Sequence, residues 1–354
     1  MQSFDIIIIG AGQYGLYTAK KLADKKIDHQ VIDAGRVGDV WRNRLHTMKL
    51  FTSRQYSSLP GLSFPGKQSG FPSVVEMGDY LETYARKFNL NIRQNSSVES
   101  LTKENDLFVI KLKNGDQIQA KVVINATGAN QECIIPDIAI DLSDQVTQLT
   151  ADRYDFDDLL SNQRVLVVGG GASGRQISAL LNEKGHQVTL SCTGTRTYPP
   201  KKILRKDFFF WLKLFNVIYA DRESFIAKII QKRNPVPCGD LKDKHLNRLG
   251  IKVVAKATSC LDNRVTFESG EQVQIDVIIW SVGYKDKTQW LGLDNCILNG
   301  EFIHDYGETP EPGLFIVGRK WLSCRASELI MGVDKDVNLV VGKLTNYLRN
   351  KHNV

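Results

Sequence analysis

The chain has 354 residues, 42% hydrophobic and 24% charged, with 28 Gly against 10 Pro, a globular balance that excludes disorder, collagen-like repeats and coiled coils. At roughly 150 residues per domain, the length predicts two or three domains. The 46 Lys and Arg against 39 Asp and Glu leave a net charge of +7. That excess suits anionic ligands such as nucleotides but is too diffuse for nucleic acid, which calls for a concentrated basic stripe. The longest apolar run is five residues, Phe208 to Leu212; a bilayer span needs roughly 20, so no transmembrane helix is expected. Six cysteines (Cys133, Cys192, Cys238, Cys260, Cys296, Cys324) lie far apart without a Cys-x-x-Cys pair. The signatures of a dithiol redox centre and a zinc ribbon are therefore missing, and no metal site is expected. The first residues enter an apolar strand pattern at once, without the basic region or cleavage site of a secretory signal, so a cytoplasmic location is expected.

The run Ile6 to Ile9 reads as a buried parallel strand. It leads into Gly10-x-Gly12-x-x-Gly15, a helical stretch to Ala23, and a second strand ending at Asp33. In such a turn the first glycine allows the tight bend, the second lets a pyrophosphate approach the backbone, and the third permits close helix–strand packing. The helix N-terminus offers N–H groups and a positive dipole end to the phosphates. Asp33, 18 residues after Gly15, can accept hydrogen bonds from a ribose. With a strand before, a helix after and the acid at this distance, the motif specifies a dinucleotide, and FAD is expected here.

The pattern repeats in mid-chain. Arg164 to Val168 reads as a strand, Gly169-x-Gly171-x-Ser173-Gly174 as the phosphate turn, and Arg175 to Lys184 as a helix. After the next strand, Gln187 to Leu190, no acid stands in the ribose position. An acid would repel a 2′-phosphate, whereas Arg196, helped by Lys201 and Lys202, would attract one. NADPH is expected there, with NADH as an alternative and a solvated loop as the other reading of Arg196. Two further apolar strands, ending at Gly128 and Gly283, each follow a hairpin-like segment. The order of Rossmann unit, β-meander and strand ending in Gly thus occurs twice. The fold predicted is α/β, two nested Rossmann-like dinucleotide-binding domains: an FAD-binding domain over 1–160 and 279–354, with an NAD(P)H-binding domain inserted at 161–278.

These motifs resemble those of the flavin-containing monooxygenases, more closely their short bacterial relatives among FAD- and NAD(P)H-dependent oxidoreductases. The resemblance spans nearly the whole chain. It includes Gly38-Asp39-Val40-Trp41-Arg42, the Leu50 to Pro65 segment, Ala126-Thr127-Gly128 with Pro136, Trp280 to Tyr284, and Pro312 to Gly318 followed by Trp321 and Gly332 to Asp336. There are departures. Asp39, Ser281 and Val282 replace family residues, and the stretch from Leu142 to Phe156 lacks the histidine of the family's linker motif.

The resemblance implies an NADPH-consuming monooxygenase that passes one oxygen of O2 to a soft nucleophile (thioether or amine) or a ketone through a flavin C4a-hydroperoxide. Cofactors carry such chemistry, so the protein need only bind, orient and exclude water, in keeping with the lack of metalloprotease or serine-hydrolase motifs. The missing histidine keeps open an NAD(P)H-dependent flavin reductase or oxidase passing electrons to O2, a quinone or a protein; a non-catalytic redox sensor is the third reading. Trp41 and Arg42 are candidate flavin contacts, as are Gly318 and Trp321 near the end. His46, Thr52 and Ser53 are the candidates for a catalytic role, His46 with a structural alternative. The basic–aromatic stretch at Phe208–Tyr219 reads as a substrate channel, a homodimer contact, a peripheral membrane contact, or a helix buried against its own domain.

Overall fold

The structure, a computed structural model, describes residues 2–152, 156–194, 197–200 and 202–352. The chain opens with β1 (Gln2–Ile9), α1 (Gln13–Asp24), β2 (His29–Ile32), α2 (Asp39–Arg42) and α3 (Val74–Lys87), then β3 (Ile92–Arg93), β4 (Val98–Glu104), β5 (Leu107–Leu112), β6 (Gln117–Asn125) and β7 (Glu132–Cys133). It continues through β8 (Thr147–Thr150), β9 (Arg164–Val168), α4 (Ala172–Glu183), β10 (Gln187–Ser191), β11 (Lys202–Ile203), β12 (Lys206–Asp207), α5 (Phe208–Leu214), α6 (Phe225–Arg233), α7 (Asp243–Arg248) and β13 (Lys252–Val254). Next come β14 (Ala257–Leu261), β15 (Arg264–Phe267), β16 (Gln272–Gln274), β17 (Val277–Trp280), β18 (Tyr284–Lys285), β19 (Ile297–Leu298), β20 (Glu301–Phe302), β21 (Leu314–Ile316) and α8 (Val333–His352).

The first sheet runs β3-β2-β1-β6-β5-β4, with β21 also on β6. β1 lies parallel between β2 and β6, which is why four consecutive isoleucines suit it. Ile6 and Ile8 face one core with α1, α3 and α8, while Ile7 and Ile9 face the other, the period-2 alternation of a strand covered on both sides. β6 pairs with β5 near its start and with β21 near its end, so the last strand of the chain closes the first sheet. That is the predicted nesting.

The second sheet, β13-β10-β9-β17-β8, is parallel throughout. β8 lies within the span expected for the first unit, yet Thr147 to Thr150 pair with Val277 to Trp280 of β17. The edge of β17 offers the backbone partners that this segment needs. The two connections between units run side by side, β7 antiparallel to β18, with Cys133 opposite Tyr284.

The basic–aromatic stretch forms the β11–β12 hairpin and α5. Asp207 caps α5, its carboxylate accepting from Phe209 N at 2.9 Å. Phe209 is buried with Tyr56, Cys324, Ala326 and Leu329 of the first unit, so α5 is wedged between the units. Among the described residues, no helix is long and apolar enough to cross a membrane.

Candidate functional site

The two glycine turns have the same internal mechanics. Gly10 takes φ +108°, and a Cβ there would lie 2.6 Å from Ala126 O; Gly169 takes φ +121°, and its Cβ would lie 2.1 Å from Ser281 O. A Cβ on Gly15 would stand 1.8 Å from Gly10 O, and one on Gly174 would stand 2.0 Å from Gly169 O. These four glycines are required by the protein's own packing. The middle ones, Gly12 and Gly171, have no protein atom within 4 Å of a would-be Cβ. They are also the N-cap residues of α1 and α4, neither of which carries a side-chain cap. An uncapped helix N-terminus beside open space suits an anion.

Asp33 completes the first site. Its carboxylate accepts from Ala11 N at 2.6 Å and Gly35 N at 2.9 Å. Burial raises its pKa, the two backbone donors pull the other way, and burial is the larger effect. Gly10, Gly12, Gln13, Tyr14, Asp33, Trp41, Arg44, Gly128, Gly318 and Glu328 all line one cavity of about 490 Å³. An acid, a bare helix N-terminus, an aromatic ring and a cation on one cavity fit a dinucleotide such as FAD.

Around this cavity the sequence candidates separate. Trp41 lines it, with its Nε1 3.4 Å from Gln13 Oε1. Arg42 does not: Asp39, Asp79 and Glu82 hold its guanidinium, and Val37 O accepts from it at 2.8 Å. Arg44, missed by sequence reasoning, lines the cavity together with Arg36, Lys113 and Lys287, and is stacked 4.4 Å over Trp41. It makes no ion pair among the described residues, and burial lowers its pKa. Its signal was its place three residues after Trp41, one helical turn on.

His46 is exposed and away from the cavity lining. Thr52 and Ser53 are buried but serve a tight turn: Ser57 Oγ lies 2.9 Å from Thr52 Oγ1 and donates to Ser53 O at 3.1 Å. None of the three catalytic candidates therefore reaches the cavity. Gly128 and Gly318 do, and Gly128 O accepts from Arg319 at 2.9 Å. Trp321 lies outside the lining and adopts φ +55°, uncommon for so bulky a residue.

In the second unit, Ser173 sits in the first turn of α4 and Gly283 follows β17, just as Gly128 follows β6. Cys192 stands where the ribose acid would be, and a Cβ on Gly170 would approach its Sγ to 2.3 Å. Arg196 and Lys201 lie outside the described residues; Lys202 is exposed on the hairpin. A second arginine that the sequence did not flag organises this side. Arg175, fully buried, donates to Gly170 O at 3.0 Å, Leu241 O at 2.8 Å and Asp243 at 2.6 Å, and also bonds Tyr198. A charged residue directly after the third glycine, where the helix must be buried, was the available signal.

Residues 7–213 match the family model described as pyridine nucleotide-disulphide oxidoreductase. A CzcO-like oxidoreductase of Geobacillus kaustophilus is 36% identical over 97% of this chain and 99% of that protein. The probable indole-3-pyruvate monooxygenase YUCCA8 of Arabidopsis thaliana is 25% identical over 90% of this chain and 85% of its own length. Among solved structures, a doubly substituted flavin monooxygenase from Stenotrophomonas maltophilia superimposes with a TM-score of 0.80 at 23% identity, covering 98% of this chain and all of that one. The chain therefore belongs to the pyridine nucleotide-disulphide oxidoreductase family and is an oxidoreductase.

Proposed function

We propose that the protein is an FAD-dependent, NADPH-consuming monooxygenase that transfers one oxygen atom of O2 to a soft nucleophile such as a thioether or amine, the other atom leaving as water. The observation that carries this reading is a dinucleotide cavity without a thiol: no cysteine is among its lining residues, and none of the six cysteines is in a disulphide. Burial raises the pKa of Cys133, Cys238, Cys260 (to about 11) and Cys296. Because the thiolate is the reactive form, disulphide chemistry has little support despite the family's name.

In this reading Asp33 would receive the FAD ribose, and Gly12 with the bare N-terminus of α1 would receive the pyrophosphate. Arg44, with no carboxylate to neutralise it, would face the flavin's anionic portion, while Trp41 and Tyr14 keep water from it. Gly171 and the N-terminus of α4 would hold the pyrophosphate of NADPH, and Cys192 in place of an acid removes repulsion of the 2′-phosphate. We assign Arg196 to that phosphate. Bound FAD would supply the chemistry itself: hydride acceptance from NADPH at N5, then activation of O2 at C4a and transfer of one oxygen atom.

The absence of a histidine between 142 and 156 favours one second reading, an NADPH-driven reductase or oxidase. The test is product stoichiometry with purified protein, NADPH, O2 and a simple thioether. Sulfoxide formed in proportion to NADPH supports oxygenation; hydrogen peroxide accounting for all the NADPH consumed overturns it.

A further inference from the structure

A second cavity of about 150 Å³ lies where the inserted unit meets the first. Phe208, Phe209 and Leu212 of α5 and Ile230 of α6 line it from one side, Phe51 and Leu329 from the other. Of its twelve lining residues, eleven are apolar, and the twelfth is Arg325. Arg325 is ion-paired to Glu328, which lines the large cavity. The Arg325–Glu328 ion pair thus has one partner on the small apolar cavity and the other on the cofactor cavity.

We propose that this cavity binds the organic substrate, and that the substrate is a neutral, compact, aromatic or branched apolar molecule; the proposal rests on the monooxygenase reading and names its substrate class. Size supports this, since an apolar space of about 150 Å³ matches a benzene-sized ligand. Shape supports it too: Phe51 and Phe209 present stacked rings, centroids 6.1 Å apart at 26°, the offset arrangement that a third ring can extend. Charge selects against anions. Glu328 already neutralises Arg325, so a carboxylate would enter without a free cation and bear its desolvation unpaired. The aromatic stretch thus acquires a function: α5 is the wall of a substrate site whose other wall belongs to the first unit.

The probe is thioanisole, one aromatic ring bearing a methylthio group, titrated calorimetrically into FAD-loaded protein. Thioanisole should bind wild-type protein at least about tenfold more tightly than para-(methylthio)benzoate, the cost of burying an unpaired carboxylate. Leu212→Trp and Ile230→Trp, which fill the cavity, should each weaken thioanisole binding about tenfold or more by excluding it. Leu214→Ser, on an exposed face of the same helix, should bind as wild type does. Flavin absorbance and melting temperature report folding of each variant. Equal binding of the neutral and anionic probes, wild-type affinity in a filled variant, or equal loss in Leu214→Ser would overturn the site. Because the readout is binding rather than product, thioanisole that binds without being oxygenated counts against the oxygenase reading and leaves the site standing.

Discussion

The hydroxyl of Tyr14 donates to the Asp336 carboxylate at 3.1 Å and also to Ser327 O. It thereby ties the first glycine turn to the opening turn of α8, more than 300 residues away in sequence. Ser323 and Ser327 donate to the same carboxylate at 2.5 and 3.1 Å. Asp336 is fully buried; burial raises its pKa more than these donors lower it. The last helix is thus fastened to the nucleotide turn by a carboxyl group whose pKa burial pushes up.

That linkage has a sign. A carboxyl whose pKa is raised on folding adds stability below the ordinary aspartate range and loses it as pH rises through the folded pKa. Asp336→Asn keeps an acceptor but cannot ionise, so its unfolding free energy should decline less with rising pH than that of the wild type. Asp336→Ala removes the acceptor that three hydroxyl groups share and should cost about 2–4 kcal/mol at neutral pH. Denaturant titration across pH 4–8 checks both; parallel pH profiles for wild type and Asp336→Asn would refute the linkage.

The glycines of the first turn should fail differently. Gly10→Ala forces a Cβ against Ala126 O at a left-handed backbone position, and should destabilise the fold by about 3 kcal/mol or more. Gly12→Ala meets no protein atom within 4 Å, so stability should stay within about 0.5 kcal/mol. FAD affinity in Gly12→Ala should nonetheless fall about tenfold or more, because the new methyl stands where the phosphate approaches. Melting curves beside bound-flavin content separate the two.

Arg42 and Arg44 make a matched pair. Arg44→Ala removes the cavity cation that is stacked on Trp41, and apparent FAD affinity should drop by about 1.5–3 kcal/mol, the worth of a charge-assisted hydrogen bond. Arg42→Ala breaks ion pairs with Asp39, Asp79 and Glu82 and should cost about 1 kcal/mol of stability with flavin affinity retained. Flavin titration of the refolded apoproteins is the measurement; equal flavin loss in both would contradict the assignment.

Arg175→Met should act on the second unit alone. It strips hydrogen bonds from Gly170 O and Leu241 O and loosens the Tyr198 and Asp243 segments. The expected result is an NADPH KM raised about tenfold or more, as for loss of one or two hydrogen bonds to charge, with bound flavin unchanged. A lowered flavin content with a normal KM would be the contrary outcome.

Much of the fold was legible because its determinants are local. Four isoleucines in a row, three glycines at fixed spacing and an acid at the next strand end lie within one βαβ unit, where chain connectivity supplies the partners. The nesting was readable for the same reason, each unit carrying its own motif. What local pattern could not assign was set by contacts between distant segments. Arg42 and Arg44 look alike in the sequence, but the acids of α3 claim the first and leave the second on the cavity. Thr147 to Thr150 carry no mark of the sheet they join, because the edge of β17 lies more than 120 residues on. The small cavity draws Phe51, Leu212 and Leu329 from three separated stretches. Composition and spacing fix the +7 chain as a two-nucleotide binder, whereas burial and pairing, which depend on the packed whole, choose the side chains that meet the ligands.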